Sequence, residues 1–404
     1  MKHALSLFVL VTAAILSACS DPMSPGRSLG PSGRPSFSSL TAKDIFQRYV
    51  ALGTSNSMGV QSAGIYAAGQ RAAWPAQLAA LVGTSFSLPL VQDPGCGPPL
   101  LPPLAADAVL VGAFGNDLVT AVMNTCAPLQ SGVTLPANSV AISGANVHDA
   151  LYSNVESEGT TTRTGVLYSR VLPVGQTQVS AMVSQNPTFV SVELAANEVL
   201  PASTGRVAAM TNYEDWRSDY DQVLASVSNT GARAVLVGLP NNAANFPSIR
   251  RARELFNEWP SFLALGVTVS LNSYFSSNYI FVPGYVLTLM SKTPTTATCA
   301  DVPGAADYVL TASDMNAINA RMADMNTHMQ DMAAKLEYAY FSLDAMYGLP
   351  KPRFSVSGLL FSNTPFGPYI SLDGVHPSTA GQTVLARAAA QAINAKYLVS
   401  IQLP

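Results

Sequence analysis

The residues with the clearest chemical potential lie near the C-terminus, in Asp373-Gly374-Val375-His376-Pro377. An imidazole is a good general base at neutral pH, and a nearby carboxylate can fix its tautomer and stabilise its charged form. The chain contains only 4 histidines, at positions 3, 148, 328 and 376. The motif therefore predicts acid–base chemistry at His376, supported by Asp373.

A histidine base needs a nucleophile, and the first predicted strand leads into one. The sequence Gly53-Thr54-Ser55-Asn56-Ser57 follows a short apolar run. A serine just after a parallel strand lies where reactive groups are exposed, and its backbone N–H can point into an oxyanion site. The alternative is helix capping, the usual role of serine at a strand end. The Gly-x-Ser-x-Gly elbow of α/β-hydrolases is absent, which counts against that fold.

The elements that would position these residues alternate between strands and helices. Short apolar segments bounded by breakers predict buried parallel strands at Tyr49–Gly53, Ser139–Ser143, Thr188–Val192 and Ala234–Gly238. Helical periodicity predicts helices at Ala72–Leu81, Tyr213–Ser228, Ala312–Tyr347 and Thr379–Tyr397. This alternation predicts a doubly wound parallel sheet, in which ligands bind beyond the carboxyl ends of the strands.

The composition sets limits on the class of protein. A chain of 404 residues is long enough for one large α/β domain or two smaller ones. Hydrophobic residues make up 48% and charged residues 11%, so a large core is expected. The net charge is −3 without a dense Lys/Arg run, which makes nucleic acid an unexpected partner.

The N-terminus has the pattern of an export signal. Met1-Lys2-His3 is a short positive region, and Ala4–Ile15 is an apolar run too short to cross a bilayer as a stable helix. Leu16-Ser17-Ala18-Cys19 then resembles a bacterial lipobox, which predicts a signal peptide at 1–18 and lipidation of Cys19. The alternative is an ordinary secretory signal with a chance cysteine. By resemblance to Gram-negative lipoproteins, Ser20 after the cysteine favours the outer membrane.

Residues 19–43 are rich in Ser, Pro and Gly and predict a flexible tether. Of the 4 cysteines, lipidation of Cys19 would leave Cys96, Cys126 and Cys299. Cys96 and Cys126 lie in one loop-like segment and are the preferred disulfide pair in an oxidising compartment. No CxxC and no His/Cys cluster is present, so no structural zinc is expected.

Four segments of the chain, taken in order, resemble the sequence blocks of SGNH (GDSL-type) hydrolases. The first is Tyr49–Ser57, with Thr54 and Asn56 where that family usually has Asp and Leu; Ser55 matches the family nucleophile, and Ser57 lies close by. The second is Val140–Asn146, in which Gly144 matches an oxyanion-hole N–H donor. The fourth, Asp373–Gly381, has the family's Asp-x-x-His-Pro ahead of the last helix and is the strongest match.

The third block has two candidates. Gly115-Asn116-Asp117 is closer in its letters to the family's Gly-x-Asn-Asp, but it precedes the second block. Ala195-Ala196-Asn197-Glu198 follows a strong strand in the expected order, with alanines for the glycines and Glu198 for Asp. Block order therefore favours Asn197 as the side-chain donor of the oxyanion hole.

The resemblance implies a flavodoxin-like three-layer α/β/α sandwich at residues 44–404, with an insertion near 93–136. It implies a serine esterase or lipase with Ser55, Asp373 and His376 as the triad, and Ser55, Gly144 and Asn197 as the oxyanion hole. No metal or cofactor is implied, and the substrate would be a small-molecule or lipid-like ester. An acyl- or acetyl-esterase or acyltransferase acting on glycans, and an inactive binding protein of the same fold, are the alternatives.

Overall fold

The computed structural model describes residues 40–97, 99–104, 126–159, 163–264, 267–270, 276–290 and 295–403. The predicted signal peptide, Cys19 and the tether up to residue 39 lie outside the described residues, as do Asn116 and much of the predicted insertion. From Leu40 onward the described chain forms one compact unit.

The strands are β1 (Tyr49–Gly53), β2 (Phe189–Glu193), β3 (Arg233–Gly238), β4 (Ile249–Arg251), β5 (Val267–Val269), β6 (Tyr279–Phe281), β7 (Thr295–Ala297), β8 (Val309–Leu310) and β9 (Ala339–Ser342).

The helices are α1 (Ala42–Ile45), α2 (Ser55–Met58), α3 (Ala67–Ala72), α4 (Trp74–Val82), α5 (Val147–Tyr152), α6 (Val155–Glu158), α7 (Arg163–Val171), α8 (Gln178–Ser184), α9 (Ala196–Val199), α10 (Tyr213–Asn229), α11 (Ala252–Phe256), α12 (Trp259–Ala264), α13 (Val282–Met290), α14 (Ala312–Lys335), α15 (Asp344–Tyr347), α16 (Val356–Phe361) and α17 (Thr379–Tyr397). Short 3₁₀ turns occupy Leu200–Thr204, Val207–Ala209 and Ala243–Asn245.

The central sheet is parallel, as predicted, with strand order β1-β2-β3-β9. Residues 138–142 run along the other side of β1, where Val140 N donates to Ala51 O at 2.9 Å and Ile142 N donates to Gly53 O at 3.0 Å. With that segment counted, the chain-order numbers across the sheet are 2-1-3-4-5, the flavodoxin-like doubly wound order. The order reverses between β1 and β2, and the general rule places ligands beyond the carboxyl ends of the strands there.

Helices cover both faces of the sheet, which gives three layers. Alternate residues of β1 point to opposite sides: Val50 and Leu52 belong to one hydrophobic cluster, and Tyr49 and Ala51 to the other. The first cluster includes residues of α5, α7, α8, α10 and α14. The second includes residues of α4, α11, α16 and α17. A sheet buried on both faces explains why its strands are continuous apolar runs rather than alternating ones.

Several sequence-based boundaries change in the structure. The predicted strand at 139–143 makes only an isolated bridge, Ala51 with Ser139, because it lies at the sheet edge and diverges after three backbone bonds. The helix predicted at Ala72–Leu81 is α4, which begins two residues later, at Trp74, because Ala73 has a non-helical ψ of 140°, and which ends at Val82.

The predicted helix at Ala312–Tyr347 is also wrong in its C-terminal third. Helix α14 ends at Lys335, Glu337 takes a positive φ of 56°, and the chain then forms β9 and α15. Strand β9 lies at the edge of the sheet and forms by pairing with β3, which is distant in sequence. A helical periodicity in the local sequence cannot reveal such pairing. The strand β1 and the helix at Thr379–Tyr397 are confirmed at the predicted residues.

Two smaller sheets lie outside the central one. Strands β4, β6 and β8 form an antiparallel sheet, and β5 pairs with β7. Ile249 of β4 and Phe281 of β6 pair in register and bring apolar side chains toward the carboxyl ends of the central strands. Within the described ranges, no helix has both the length and the apolar composition needed to cross a membrane.

Candidate active site

Ser55 is the first residue of α2, a single helical turn that begins directly after β1. Thr54 is extended and precedes the helix, and Gly59 ends it with a φ of 83°. Ser55 is 8% exposed and lines a cleft at the carboxyl end of the sheet. The sequence thus places a hydroxyl at the N-terminus of a short helix beside the switch point, where a ligand can approach it.

A buried carboxylate, Glu193, lies beneath this turn. It is the last residue of β2, it pairs in register with Gly53, and it is 2% exposed. Its Oε2 accepts from Thr54 N at 3.0 Å, Ser57 N at 3.2 Å and Ser57 Oγ at 3.0 Å. Its Oε1 accepts from Thr54 Oγ1 at 2.9 Å and from Asn56 Nδ2 at 3.5 Å. Burial raises the pKa of Glu193, and the hydrogen bonds from Thr54 and Ser57 oppose that rise.

Asp373 and His376 form the pair that the sequence predicts from their spacing. The imidazole Nδ1 and Asp373 Oδ2 lie 2.8 Å apart, and the imidazole is 17% exposed. Asp373 Oδ1 accepts from the backbone N–H groups of Val375 and His376 at 2.8 and 2.9 Å, and Oδ2 accepts from Ala63 N at 2.6 Å.

These contacts determine the charge of Asp373. Burial alone would raise the pKa of Asp373, but the charge of His376 and the hydrogen bonds from His376 and Val375 lower it to about 2. A carboxylate only accepts, so Nδ1 carries a hydrogen, and in the neutral form of the ring the acceptor lone pair is at Nε2. His376 is therefore held in the tautomer that a general base requires.

The two predicted oxyanion-hole partners of Ser55 have different positions. Asn197 of α9 lines the cleft, and its Nδ2 donates to Ala145 O at 2.6 Å. An amide NH₂ has two hydrogens, so one is available to a ligand. Gly144 has a φ of 86° and an exposed position in the turn after residue 142, and it is not among the residues that line the cleft.

Glu198, next to Asn197, is a second buried acid that sequence reasoning did not assign. It is 1% exposed, and its Oε1 accepts from Val147 N at 2.7 Å. Its Oε2 has no hydrogen-bond partner among the described residues. Burial is the largest effect and raises the pKa of Glu198 to about 7, against the lowering effect of the Val147 N–H.

The cleft brings Ser55, Asn197 and His376 to one surface, and its volume is about 720 Å³ when counted out to its open mouth. The rest of its wall is mostly hydrocarbon, including Val199, Leu200, Leu239, Phe246, Ile318 and Met322. Among the described hydrogen bonds, none joins Ser55 Oγ to His376. Catalytic hydrogen bonds are often long in the absence of substrate and tighten when it binds.

The other histidines of the described chain lie elsewhere. His148 is 64% exposed and contacts Asp219, and His328 contacts Asp221. The alternative Asn116 lies outside the described residues. The sequence interpretation missed Glu193 and named Glu198 only as the replacement for Asp in the third block. Glu193 left one signal, a charge within a buried apolar run of a chain with only 11% charged residues.

A disulfide joins Cys96 and Cys126, the pair that the sequence favours, across a separation of 30 residues. Cys96 also forms isolated antiparallel bridges with Ile65 and Cys126. Cys299 is buried.

No protein-family profile matches the sequence, and no curated protein matches it. Solved structures that align with this chain include an extracellular lipase from Streptomyces rimosus, at 15% identity over 86% of this chain and 98% of that one, with a TM-score of 0.35. Phospholipase A1 from Streptomyces albidoflavus aligns at 15% identity over 87% and 99%, with a TM-score of 0.33.

The acetylxylan esterase Axe2 from Geobacillus stearothermophilus aligns at 12% identity over 73% of this chain and 83% of that one, with a TM-score of 0.30. At TM-scores of this size these likenesses carry no argument about fold or activity.

Proposed function

We propose that this protein is a serine hydrolase of carboxylic esters, with Ser55 as nucleophile and His376 as general base. One observation carries the proposal: Ser55, Asn197 and His376 come from distant parts of the chain to one cleft, and Asp373 holds the far nitrogen of His376. This arrangement has the parts of acyl-transfer catalysis, namely a nucleophile, an oriented base and an amide donor.

The mechanism follows from these roles. His376 Nε2 takes the proton of Ser55 Oγ as that oxygen attacks the ester carbonyl, and Asp373 stabilises the imidazolium that forms. The Asn197 amide and the Ser55 N–H donate to the oxyanion. His376 then protonates the leaving alcohol, an acyl-enzyme forms on Ser55, and water activated by His376 releases the acid. One oxyanion-hole donor typically lowers the activation barrier by about 3–4 kcal/mol.

The walls of the cleft favour an ester with an apolar acyl chain. Leu239, Phe246, Ile318 and Met322 present hydrocarbon beside Ser55, and burial of a methylene contributes about 0.8 kcal/mol. The glycan-directed alternative is less well supported, because sugar hydroxyls need polar partners that this wall mostly lacks.

A fluorophosphonate probe and p-nitrophenyl esters of acetate, butyrate and octanoate test the proposal on the purified chain. We expect the wild-type protein to be labelled and to hydrolyse the esters, and Ser55→Ala to lose both by at least about 10³-fold. The neighbouring variant Ser57→Ala is the control for the choice of serine: it is still labelled, although loss of its hydroxyl donor to Glu193 should slow labelling several-fold. A folded wild-type protein that is not labelled would contradict the proposal. Activity retained in Ser55→Ala would show that Ser55 is not the nucleophile.

We also propose that the enzyme is exported and held at the cell envelope, most simply at the outer membrane, by acylation of Cys19. The support is the order of a positive region, an apolar run and Leu16-Ser17-Ala18-Cys19 in the sequence. In a Gram-negative host the full chain should partition into the detergent phase of Triton X-114, and Cys19→Ser into the aqueous phase. Equal partitioning of the two would refute the anchor.

A further inference from the structure

Among the described residues, every hydrogen bond to the Glu193 carboxylate comes from the turn that carries Ser55. The donors are two backbone amides, two hydroxyls and one side-chain amide, all from Thr54, Asn56 and Ser57. Thr54 and Ser57 flank the nucleophile, and Ser55 itself donates nothing to Glu193. Among the described residues, no Lys, Arg or His forms an ion pair with this carboxylate.

The backbone is built to admit this carboxylate. Gly53 pairs in register with Glu193, and a Cβ on Gly53 would lie 2.6 Å from Ser57 Oγ and 3.2 Å from Glu193 Oε2. Any larger residue would therefore separate the carboxylate from its donors. The close approach of β1 and β2 thus brings a group 139 residues away in the chain under the start of α2.

A single helical turn needs such support. Helix α2 has 4 residues. An isolated helix of that length is unstable, because the conformational entropy lost in forming the first turn exceeds the stabilisation from its hydrogen bonds. The N–H groups at its start have no intrahelical acceptors. Glu193 accepts two backbone N–H groups around that start and leaves the Ser55 N–H and hydroxyl directed elsewhere.

We propose that Glu193 is a positioning residue for the nucleophile: its carboxylate holds residues 54–57 so that both the hydroxyl and the N–H of Ser55 face the cleft. The inference rests on the proposed role of Ser55. Thr54, which has no carboxylate of its own, takes part as a donor, so the acid that organises the turn comes from the neighbouring strand.

The test is the rate at which a fluorophosphonate inactivates Ser55, measured with kcat and KM for p-nitrophenyl butyrate. Glu193→Gln keeps the shape but has one accepting oxygen instead of two, so its NH₂ replaces the acceptor either of Thr54 N and Ser57 N or of Thr54 Oγ1 and Asn56 Nδ2. In both orientations of the amide, part of the turn loses its acceptor. We expect inactivation and kcat to fall about 10–100-fold with KM nearly unchanged, since a misplacement of about 1 Å costs about 10²-fold.

Ser191→Ala is the matched control. Ser191 lies two residues earlier on the same strand, is fully buried, and shares a hydrogen bond of 2.9 Å with Tyr49. It should lose thermal stability while keeping the wild-type inactivation rate. A purely structural role for Glu193 predicts instead that Glu193→Gln and Ser191→Ala behave alike, with lower Tm and wild-type inactivation of the folded protein.

A second pair of variants serves if Glu193→Gln does not fold. Thr54→Val removes the hydroxyl donor and should slow inactivation several-fold, and Thr54→Ser restores the donor and should restore the rate. If folded Glu193→Gln or Thr54→Val is inactivated at the wild-type rate, Glu193 is not a positioning residue. Labelling of the wild-type protein would in that case still support the proposed function. An unlabelled wild-type protein refutes the proposed function itself.

Discussion

Three buried carboxylates surround the candidate site, and their partners differ. In the described chain, Asp373 has an imidazole, three backbone N–H groups and the Ser371 hydroxyl as partners. Glu193 has only neutral donors, and Glu198 has one N–H and an oxygen without a partner. The pKa values follow: that of Asp373 is lowered to about 2, and those of the other two are raised. Each acid is thus suited to a different task.

At the residue scale, Asp373→Asn should lower kcat/KM for p-nitrophenyl butyrate about 10³–10⁴-fold. The amide NH₂ would hold the wrong imidazole tautomer, and the positive charge that develops on His376 would lose its partner. The measurement is steady-state kinetics at pH 8, with circular dichroism to verify folding. A loss of less than about tenfold would mean that another group orients His376.

The raised pKa of Glu198 also makes the stability of the fold depend on pH. Its pKa is about 7 when folded and about 4.3 in an unfolded chain. Below pH 4 both states are protonated; as the pH rises to 7 the unfolded chain ionises first, so the free energy of unfolding falls by about 3 kcal/mol and then levels off. The neutral Glu198→Gln variant should lose this decline.

Urea unfolding at pH 4.5, 6 and 8 checks the Glu198 prediction, with the relative stability of Glu198→Gln rising with pH. Glu214→Gln is the control, because Glu214 is 70% exposed and its pair with Arg217 is a surface one. Wild-type and Glu198→Gln curves that stay parallel across this range would contradict the prediction.

At the scale of elements, the cleft is assembled from the ends of several. The 3₁₀ turn at 200–204, the loop after β3 and helix α14 supply half of the residues of the apolar wall, and His376 comes from the loop before α17. Methionines on one side of α14 are buried, which agrees with core packing, and Met322 among them also reaches the cleft. We therefore expect elements outside the proposed triad to determine which acyl chain lengths the cleft accepts.

Leu200→Trp should narrow this wall and shift the acyl-chain preference. Leu200 is partly buried and lines the cleft, so the fold should accept the larger ring. We expect kcat/KM for octanoate relative to acetate to fall about tenfold, in line with the 1–3 kcal/mol that a few contacts in an apolar pocket contribute. Val183→Trp, at a position 39% exposed on α8, is the control; an equal change there would contradict the assignment.

At the scale of the whole molecule, the Cys96–Cys126 disulfide joins two residues that are 30 positions apart in the chain. The double variant Cys96→Ser/Cys126→Ser should lower the free energy of unfolding by about 3–4 kcal/mol, because the unfolded chain regains the entropy of the loop between them. Its kcat/KM should stay near the wild-type value, since neither cysteine lines the cleft. Equal unfolding curves with and without dithiothreitol for the wild type would contradict this.

The sequence alone predicted much of the architecture. Strand β1, helix α10 to within one residue and helix α17 follow from local apolar periodicity, because their residues are buried in the pattern that each element requires. The same periodicity predicted helix beyond the true end of α14 and therefore missed β9. A short edge strand forms by pairing with its neighbour, here β3, and not from its local sequence pattern.

The pairing of Asp373 with His376 could also be predicted from the sequence, because residues three positions apart in one turn lie close enough for their side chains to meet. The family resemblance predicted that Ser55, Asn197 and His376 would share one site, but nothing in the sequence predicted that Glu193 contacts the turn at 54–57; only the tertiary structure shows that contact. Those contacts depend on which strands are neighbours and on the register Gly53–Glu193. Strand order and register are set by long-range burial and hydrogen bonding, which local residue patterns do not encode.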